Sequence, residues 1–574
     1  MFKMALLDKI KNPQRLSAIL VVLVVGCLGA YLLVGGHAAS PYVSTTAPSG
    51  TLANGAVSCS STGSTTGSAV TFKSPAPMDG GVALDLDCPG TPFSPTSFWN
   101  TPVPANVALN PNSTDYANEI ANQVCYGPET FSTAPLSSCP ASVPPVNGLC
   151  ANGKAPANGT SCPLSDVSAL NTSDWSSPLY VVPANQPLVP VTDVCGTSAP
   201  FNASVAGGVP VPADAHGAGA AYEPNPPIVA AHGTAGTKQY AYEVVSVTPS
   251  GSLSEPSRYG STNTGNAVLS ATNYSSITWT PVPGVTQYQI YRFSSNGTPS
   301  SEGLIGTVSV ANGAGPQTFN DTGLAVTSTT FPPSGDSDEE VTIYQPSSDK
   351  EWEFWSFAKD SGGNWTACWG GGMSNVSTSS GIFPNNLGGT ATSLPLLGGI
   401  PGIDEFQAGH IDHVMNLSMG ENFYRTAVVP ATTPATYTFP ANVTDPGDKA
   451  YSWPATRNDG RNSSTLAIPE GQRFILNPSL NLSTLGLSPM AMTIAVAAQK
   501  YGFVVDDSSS SVSIRLPDPT TYTVAGLPNP YTSGPGVGGV GNKGLYEGSS
   551  TPIMKNFPWG QLEALPFNYG EPGS

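Results

Sequence analysis

Tyr240-Ala241-Tyr242-Glu243-Val244-Val245-Ser246-Val247 decides the fold class of this chain. Neighbouring side chains in a strand point to opposite faces, and the alternation here predicts a β-strand. Working outward, Ser276-Ile277-Thr278-Trp279-Thr280, Tyr288-Gln289-Ile290-Tyr291-Arg292, Ile305-Gly306-Thr307-Val308 and Thr318-Phe319-Asn320-Asp321 follow at short spacing. Pro283-Gly284 and Ser295-Asn296-Gly297 supply turns between them. Short strands so spaced predict a β-sandwich over 234–333, with Trp279 and Tyr291 in its core.

Composition extends the reading to the whole chain. Only 10% of the 574 residues are charged, against about 25% in ordinary soluble domains. Sixty-two glycines and 57 prolines exclude a mainly helical protein and predict a mainly β one with a few short helices. A formal charge of −18 argues against nucleic acid and anionic membrane surfaces as partners.

The 234–333 segment resembles fibronectin type III modules. Trp279 followed by Pro281-Val282-Pro283-Gly284, with Tyr288, Ile290, Tyr291 and Arg292, is similar to the second and third strands of that family. Tyr242-Glu243-Val244, with Gly251 and Ser254-Glu255-Pro256-Ser257, is similar to its sixth and seventh. The late-strand motif precedes the tryptophan, which implies a permuted variant or the tail of a degraded first repeat.

At the N-terminus Lys3, Lys9, Lys11 and Arg15 precede an uncharged apolar run over 16–36. As a helix this run is roughly 31 Å long, enough for a hydrocarbon core of about 30 Å. Basic residues on one side only predict a cytoplasmic segment 1–15, a transmembrane anchor 16–36 and an extracellular remainder at the cell membrane. Cleavage after Ala38 or Ala39, giving a secreted protein, and lipidation of Cys27 in Val24-Val25-Gly26-Cys27 stay open. Residues 37–87 read as a Ser/Thr/Gly-rich stalk.

Cys27 lies in the apolar run, and Cys59, Cys88, Cys125, Cys139, Cys150, Cys162, Cys195 and Cys368 lie beyond it. An even exported count predicts disulfides without giving their connectivity.

Flanking the sandwich, Ser97-Phe98-Trp99-Asn100-Thr101-Pro102, Leu109, Pro111 and Ser113 resemble a group of exported proteins, mostly from actinobacteria. So do Glu351, Glu353-Phe354-Trp355, Pro469-Glu470-Gly471-Gln472-Arg473-Phe474, Leu476, Pro478-Ser479, Ala498-Gln499-Lys500-Tyr501-Gly502 and Asp506. The resemblance implies one β-rich domain split between 88–230 and 336–574, with the fibronectin-like module inserted; it carries no activity. Periodicity predicts helices at 113–124, 403–415 and 490–501, the last followed by a strand.

Candidate chemistry gathers in the second half. His410 and His413, three apart on the expected 403–415 helix, share a face. They could ligate a metal with Asp404 or Glu405, or one could act as general base; alternatively His413 packs or caps the helix and His410 is solvated. Asp459 and Glu470, with Glu353 or Glu405, could form the carboxylate pair of glycoside hydrolysis. Otherwise Asp459-Gly460 is a turn, and Glu470 with Arg473 a surface ion pair. Trp352, Trp355, Trp365 and Trp369 could form a sugar-stacking platform or core. Asp336, Asp338, Glu339 and Glu340 could bind Ca²⁺, or form a solvated linker. Gly-x-Ser-x-Gly, phosphate-loop and dinucleotide fingerprints do not occur in a credible context, and neither a cofactor nor a metal is assigned.

These features lead to an expected membrane-anchored extracellular protein that binds or adheres through β-modules, with a glycan or cell-surface protein as partner. A polysaccharide-processing hydrolase or lyase in the split domain, and a structural envelope protein, are the alternatives.

Overall fold

The computed structural model describes residues 91–127, 131–135, 169–172, 175–196, 199–311, 314–332, 337–420, 422, 451–462, 464, 466–509, 511–524, 526–549 and 552–573, with the strand backbones 56–59, 69–72, 142–143 and 162–163. The expected membrane helix, its cleavage and lipidation alternatives, and most of the stalk lie outside the described residues. Among the described residues no helix is long and apolar enough to cross a membrane. Of residues 1–70 only the strand positions 56–59 and 69–70 are described. Residues 71–574 form one compact unit, mainly β, with several sheets and few helices.

Two antiparallel sheets lie between residues 228 and 321. One runs Gln317–Asp321, Tyr274–Trp279, Ile228–His232. The other runs Leu253–Pro256, Lys238–Val247, Gln287–Ser295, Gly303–Ser309, with Gly260–Gly265 also paired to Lys238–Val247. Tyr240, Tyr242, Val244, Ile277, Trp279, Tyr288 and Ile290 fill one core from both sheets. Inside it Arg292 Nε and Nη2 donate to Asp321 Oδ2 at 2.8 and 2.6 Å, and the Tyr242 hydroxyl donates to the same oxygen at 2.9 Å. Both members of this ion pair are fully buried. Tyr291 is buried as well.

Strands on either side of this module pair with each other. Leu179–Val181 lies parallel to Val341–Gln345, Val191–Asp193 to Trp365–Ala367, and Ala169–Asn171 to Ser513–Arg515. One core joins Phe93, Trp99, Tyr180 and Phe201 to Ile343, Phe354, Phe383 and Val504. A second joins Tyr116 and Ile120 to Phe406, Leu417, Phe474, Ile494, Phe503 and Trp559. Tyr116 and Ile120 come from the helix Ser113–Tyr126, where buried Tyr116, Ile120 and Val124 recur at the four-residue step of one helix face.

The helix Pro489–Lys500 starts where its sequence dictates. Ser488 Oγ accepts from the Ala491 amide at 3.1 Å, and Pro489 occupies the first turn, where its missing N–H costs nothing. It packs on a six-stranded sheet ordered Leu562–Ala564, Arg473–Leu476, Phe503–Ser508, Met415–Met419, Ser513–Arg515, Ala169–Asn171. Cys195 and Cys368 are joined in a disulfide. Cys125 is also disulfide-bonded. Cys88, Cys139 and Cys150 lie outside the described residues, as do the side chains of Cys59 and Cys162.

Two sequence expectations fail here. The helix at 403–415 is only Ile403–Ala408, because Gly409 turns left-handed at φ 83 and ends it. The acidic run after the module is not a solvated linker: Glu339 pairs with Arg258, buried Glu340 lies 3.4 Å from Arg515, and Asp338 accepts from Trp355 Nε1 at 3.1 Å. Asp336 lies outside the described residues.

Candidate functional site

His410 and His413 do not share a helix face. Both lie past the helix end, and they face different partners. His413 is buried; its Nε2 is 3.0 Å from Glu405 Oε2 and its Nδ1 2.8 Å from the Val414 carbonyl. Burial opposes the charged imidazolium, but the Glu405 carboxylate outweighs it, and the His413 pKa is raised from 6.5. His410 is half exposed and lies 2.8 Å from Asp412 Oδ2. Among the described residues no group of three or more His, Cys, Asp or Glu side chains is arranged to hold a metal ion. His413 therefore reads as a buried packing residue.

Asp459 and Glu470 do meet. Glu470 is fully buried, whereas Asp459 is exposed. The two carboxyls share one hydroxyl neighbour. Ser508 Oγ donates to Asp459 Oδ1 at 2.6 Å and approaches Glu470 Oε1 at 3.4 Å. The Asp459 amide also donates to Glu470 Oε2 at 3.3 Å. Burial first, then the Asp459 charge, push the Glu470 pKa well above its ordinary 4.5, which favours the protonated form.

Local backbone chemistry puts Glu470 there. Gly471 has φ 81, and a Cβ at that position would lie 1.7 Å from the Ser452 carbonyl. Only glycine permits this turn, which sends the Gly471 amide to the Val505 carbonyl at 2.7 Å and points Glu470 inward. Arg473, expected at the surface beside Glu470, is instead buried, with its guanidinium 5.7 Å from the Phe98 ring centre.

Behind the pair lies a charged layer that sequence reasoning missed. The parallel strands Met415–Met419 and Phe503–Ser508 slip register between Leu417 and Ser418, opposite the 505–507 stretch. Such a bulge re-aims side chains. As a result consecutive Asp506 and Asp507 both reach one guanidinium: Arg515 Nη1 donates to Asp506 Oδ2 at 2.7 Å and Nη2 to Asp507 Oδ2 at 2.6 Å. Burial pushes Asp507 up to about 7, with Arg515 opposing. The adjacent acidic pair at a strand end was the only sequence signal.

The wall of the site is Arg457, 4.6 Å above the Trp369 ring centre. Burial lowers its pKa to about 10, while the nearby Asp507 and Asp459 carboxylates oppose that shift. One Arg457 nitrogen bonds the Thr390 carbonyl. Asn422 Nδ2 donates to Glu470 Oε1 at 3.2 Å and to the Asp507 carbonyl at 3.0 Å. Four buried polar atoms here lack hydrogen-bond partners: Asn422 Oδ1, Arg457 Nε, Asn458 Nδ2 and Trp369 Nε1. Each unpaired buried group costs about 1–3 kcal/mol.

The four tryptophans separate. Trp352 and Trp365 are core. Trp355 is 38% exposed and pairs across the strands with half-buried Trp369. Trp369 is the one that lies beneath Arg457. Glu353, another carboxylate candidate, instead accepts the Gly389 and Leu397 amides at 3.2 and 3.1 Å.

No family model, curated protein or solved structure matches the chain.

Proposed function

We propose that this chain is an extracytoplasmic surface protein, held at the membrane by residues 16–36, that binds a cell-surface or envelope ligand at the Asp459–Glu470 site. One observation carries the reading: the exposed carboxylate Asp459 and the fully buried carboxyl of Glu470 share the Ser508 hydroxyl, so an acidic pair has one member open to solvent. The N-terminal charge asymmetry and the apolar run support export, and the Cys195–Cys368 disulfide fits an oxidising compartment. The sandwich, which we read as a permuted fibronectin type III-like module, is a spacer or second contact surface on the split domain.

A polysaccharide-cleaving enzyme has less support, because Glu470 is fully buried and the Ser508 hydroxyl lies between the two carboxyls, where substrate or water would have to stand. The test is attachment of the full chain to isolated cell envelopes, compared with Asp459→Asn. The variant should retain the parent's melting temperature and lose at least about tenfold in attachment, roughly 1.4 kcal/mol. Equal attachment would remove the site from the binding role.

A further inference from the structure

We infer that the seam between the inserted module and the flanking domain is a pH-sensitive hinge, closed in mild acid and loosened as pH rises, with Glu223 as the group that takes up the proton. It is independent of the ligand site proposed above.

Three stretches of chain meet at this seam. Residues 217–227 lead into the module, Arg258 lies between its strands Leu253–Pro256 and Gly260–Gly265, and residues 337–340 lead back to the flanking strand Val341–Gln345. Backbone bonds fix the two crossings: the Ala218 amide donates to the Glu340 carbonyl at 2.9 Å, and the Ser356 and Phe357 amides to the Asp338 and Glu339 carbonyls at 2.9 and 3.0 Å. Side chains tie the module to them. Arg258 Nη2 donates to Glu339 Oε2 and, at 2.8 Å, to Ser356 Oγ, while Ser337 Oγ donates to Glu255 Oε2 at 2.9 Å.

Glu223 stands among these groups, partly buried. Its carboxyl accepts from the Arg258 backbone amide and faces the Glu339 and Glu255 carboxylates and the Arg258 guanidinium. That guanidinium is already engaged by Glu339 and Ser356, so an ionised Glu223 meets two like charges and one committed cation. The three carboxylates belong to the entering segment, the module and the returning segment, so their repulsion pushes apart the pieces that the seam joins. The other acids of the returning segment are held elsewhere: Asp338 accepts from Trp355 Nε1 at 3.1 Å, and Glu340 lies 3.4 Å from Arg515. Burial first, then Glu339 and Glu255, raise Glu223 well above 4.5, against Arg258. A raised carboxyl stabilises the closed seam fully below 4.5 and loses that contribution as pH rises through its folded value.

Hydrogen exchange of the full chain, corrected for the intrinsic effect of pH on exchange, tests this. Between about pH 5 and pH 8 the Ala218, Ser356 and Phe357 amides should open at least about tenfold more, while the central amides of Lys238–Val247 and Phe503–Ser508 keep their protection. Glu223→Gln, which cannot ionise, should bring the seam ratio to within about twofold of unity. Glu255→Gln should shrink the ratio too, and it carries the test if Glu223→Gln lowers the melting temperature at pH 5. Equal seam exchange at both pH values overturns the inference. So does a ratio that both variants leave unchanged, or opening of the central strands in parallel with the seam.

Discussion

Cys195 and Cys368 stand 173 residues apart in sequence and 4.9 Å apart between Cα atoms. Their bond closes the chain around the whole inserted module. Cys195 follows the strand Val191–Asp193, and Cys368 follows its parallel partner Trp365–Ala367. The disulfide therefore ties the two halves of the flanking domain together at the end of that parallel strand pair. Loop-closure entropy for so long a loop is worth up to about 5 kcal/mol, less whatever order the unfolded loop retains. Reduction, or Cys195→Ser with Cys368→Ser, should cost about 2–5 kcal/mol in urea unfolding. Superimposable curves with and without reductant would show that the clamp contributes nothing.

The module has its own internal tie. Asp321 satisfies buried Arg292, the Tyr242 hydroxyl and the Gly323 and Leu324 amides at once. Asp321→Ala strands a desolvated guanidinium, and about 3–5 kcal/mol should be lost. Hydrogen exchange should show the loss across Lys238–Val247 and Gln287–Ser295. A loss below about 1 kcal/mol would mean that the pair is solvated in solution.

His413 makes stability depend on pH in a defined direction. Its folded pKa lies above 6.5, so the folded chain binds the proton more tightly than the unfolded one. The Glu405–His413 contribution is thus complete below pH 6.5 and fades as pH rises through the folded value. Imidazole titration followed by NMR should place His413 above 6.5, and His413→Gln should remove that part of the pH profile. Titration below 6.5 would reverse the sign and refute the assignment.

Glu470 acts in the same direction for another reason. Its carboxyl is protonated in the fold at pH values where the unfolded chain has released the proton above 4.5. Stability should therefore fall as pH rises from 4.5 toward the folded value, with the Glu470→Gln curve flatter than the parent's. Parallel curves between about pH 5 and 8 would show that Glu470 ionises normally.

Much of this was legible locally. The alternation at 240–247 became the strand Lys238–Val247, and the Ser488-Pro489 start became the helix Pro489–Lys500. Asp459 and Glu470 could be named together because eleven residues and one turn separate them. The histidine pair could not be judged this way, because a single left-handed glycine ended its helix early.

The sequence by itself determined the β character, the helix starts and an excess of carboxylates over cations, 38 against 20. Those depend on side-chain periodicity, capping and composition, which act within a few residues. Only the tertiary structure decided that Asp506 and Asp507 share Arg515 and that Arg457 covers Trp369 behind Asp459. A bulge sets the first, and packing of a turn on a strand some ninety residues earlier sets the second. Desolvation, which gives Glu470 its proton, exists only once those remote segments have closed over it.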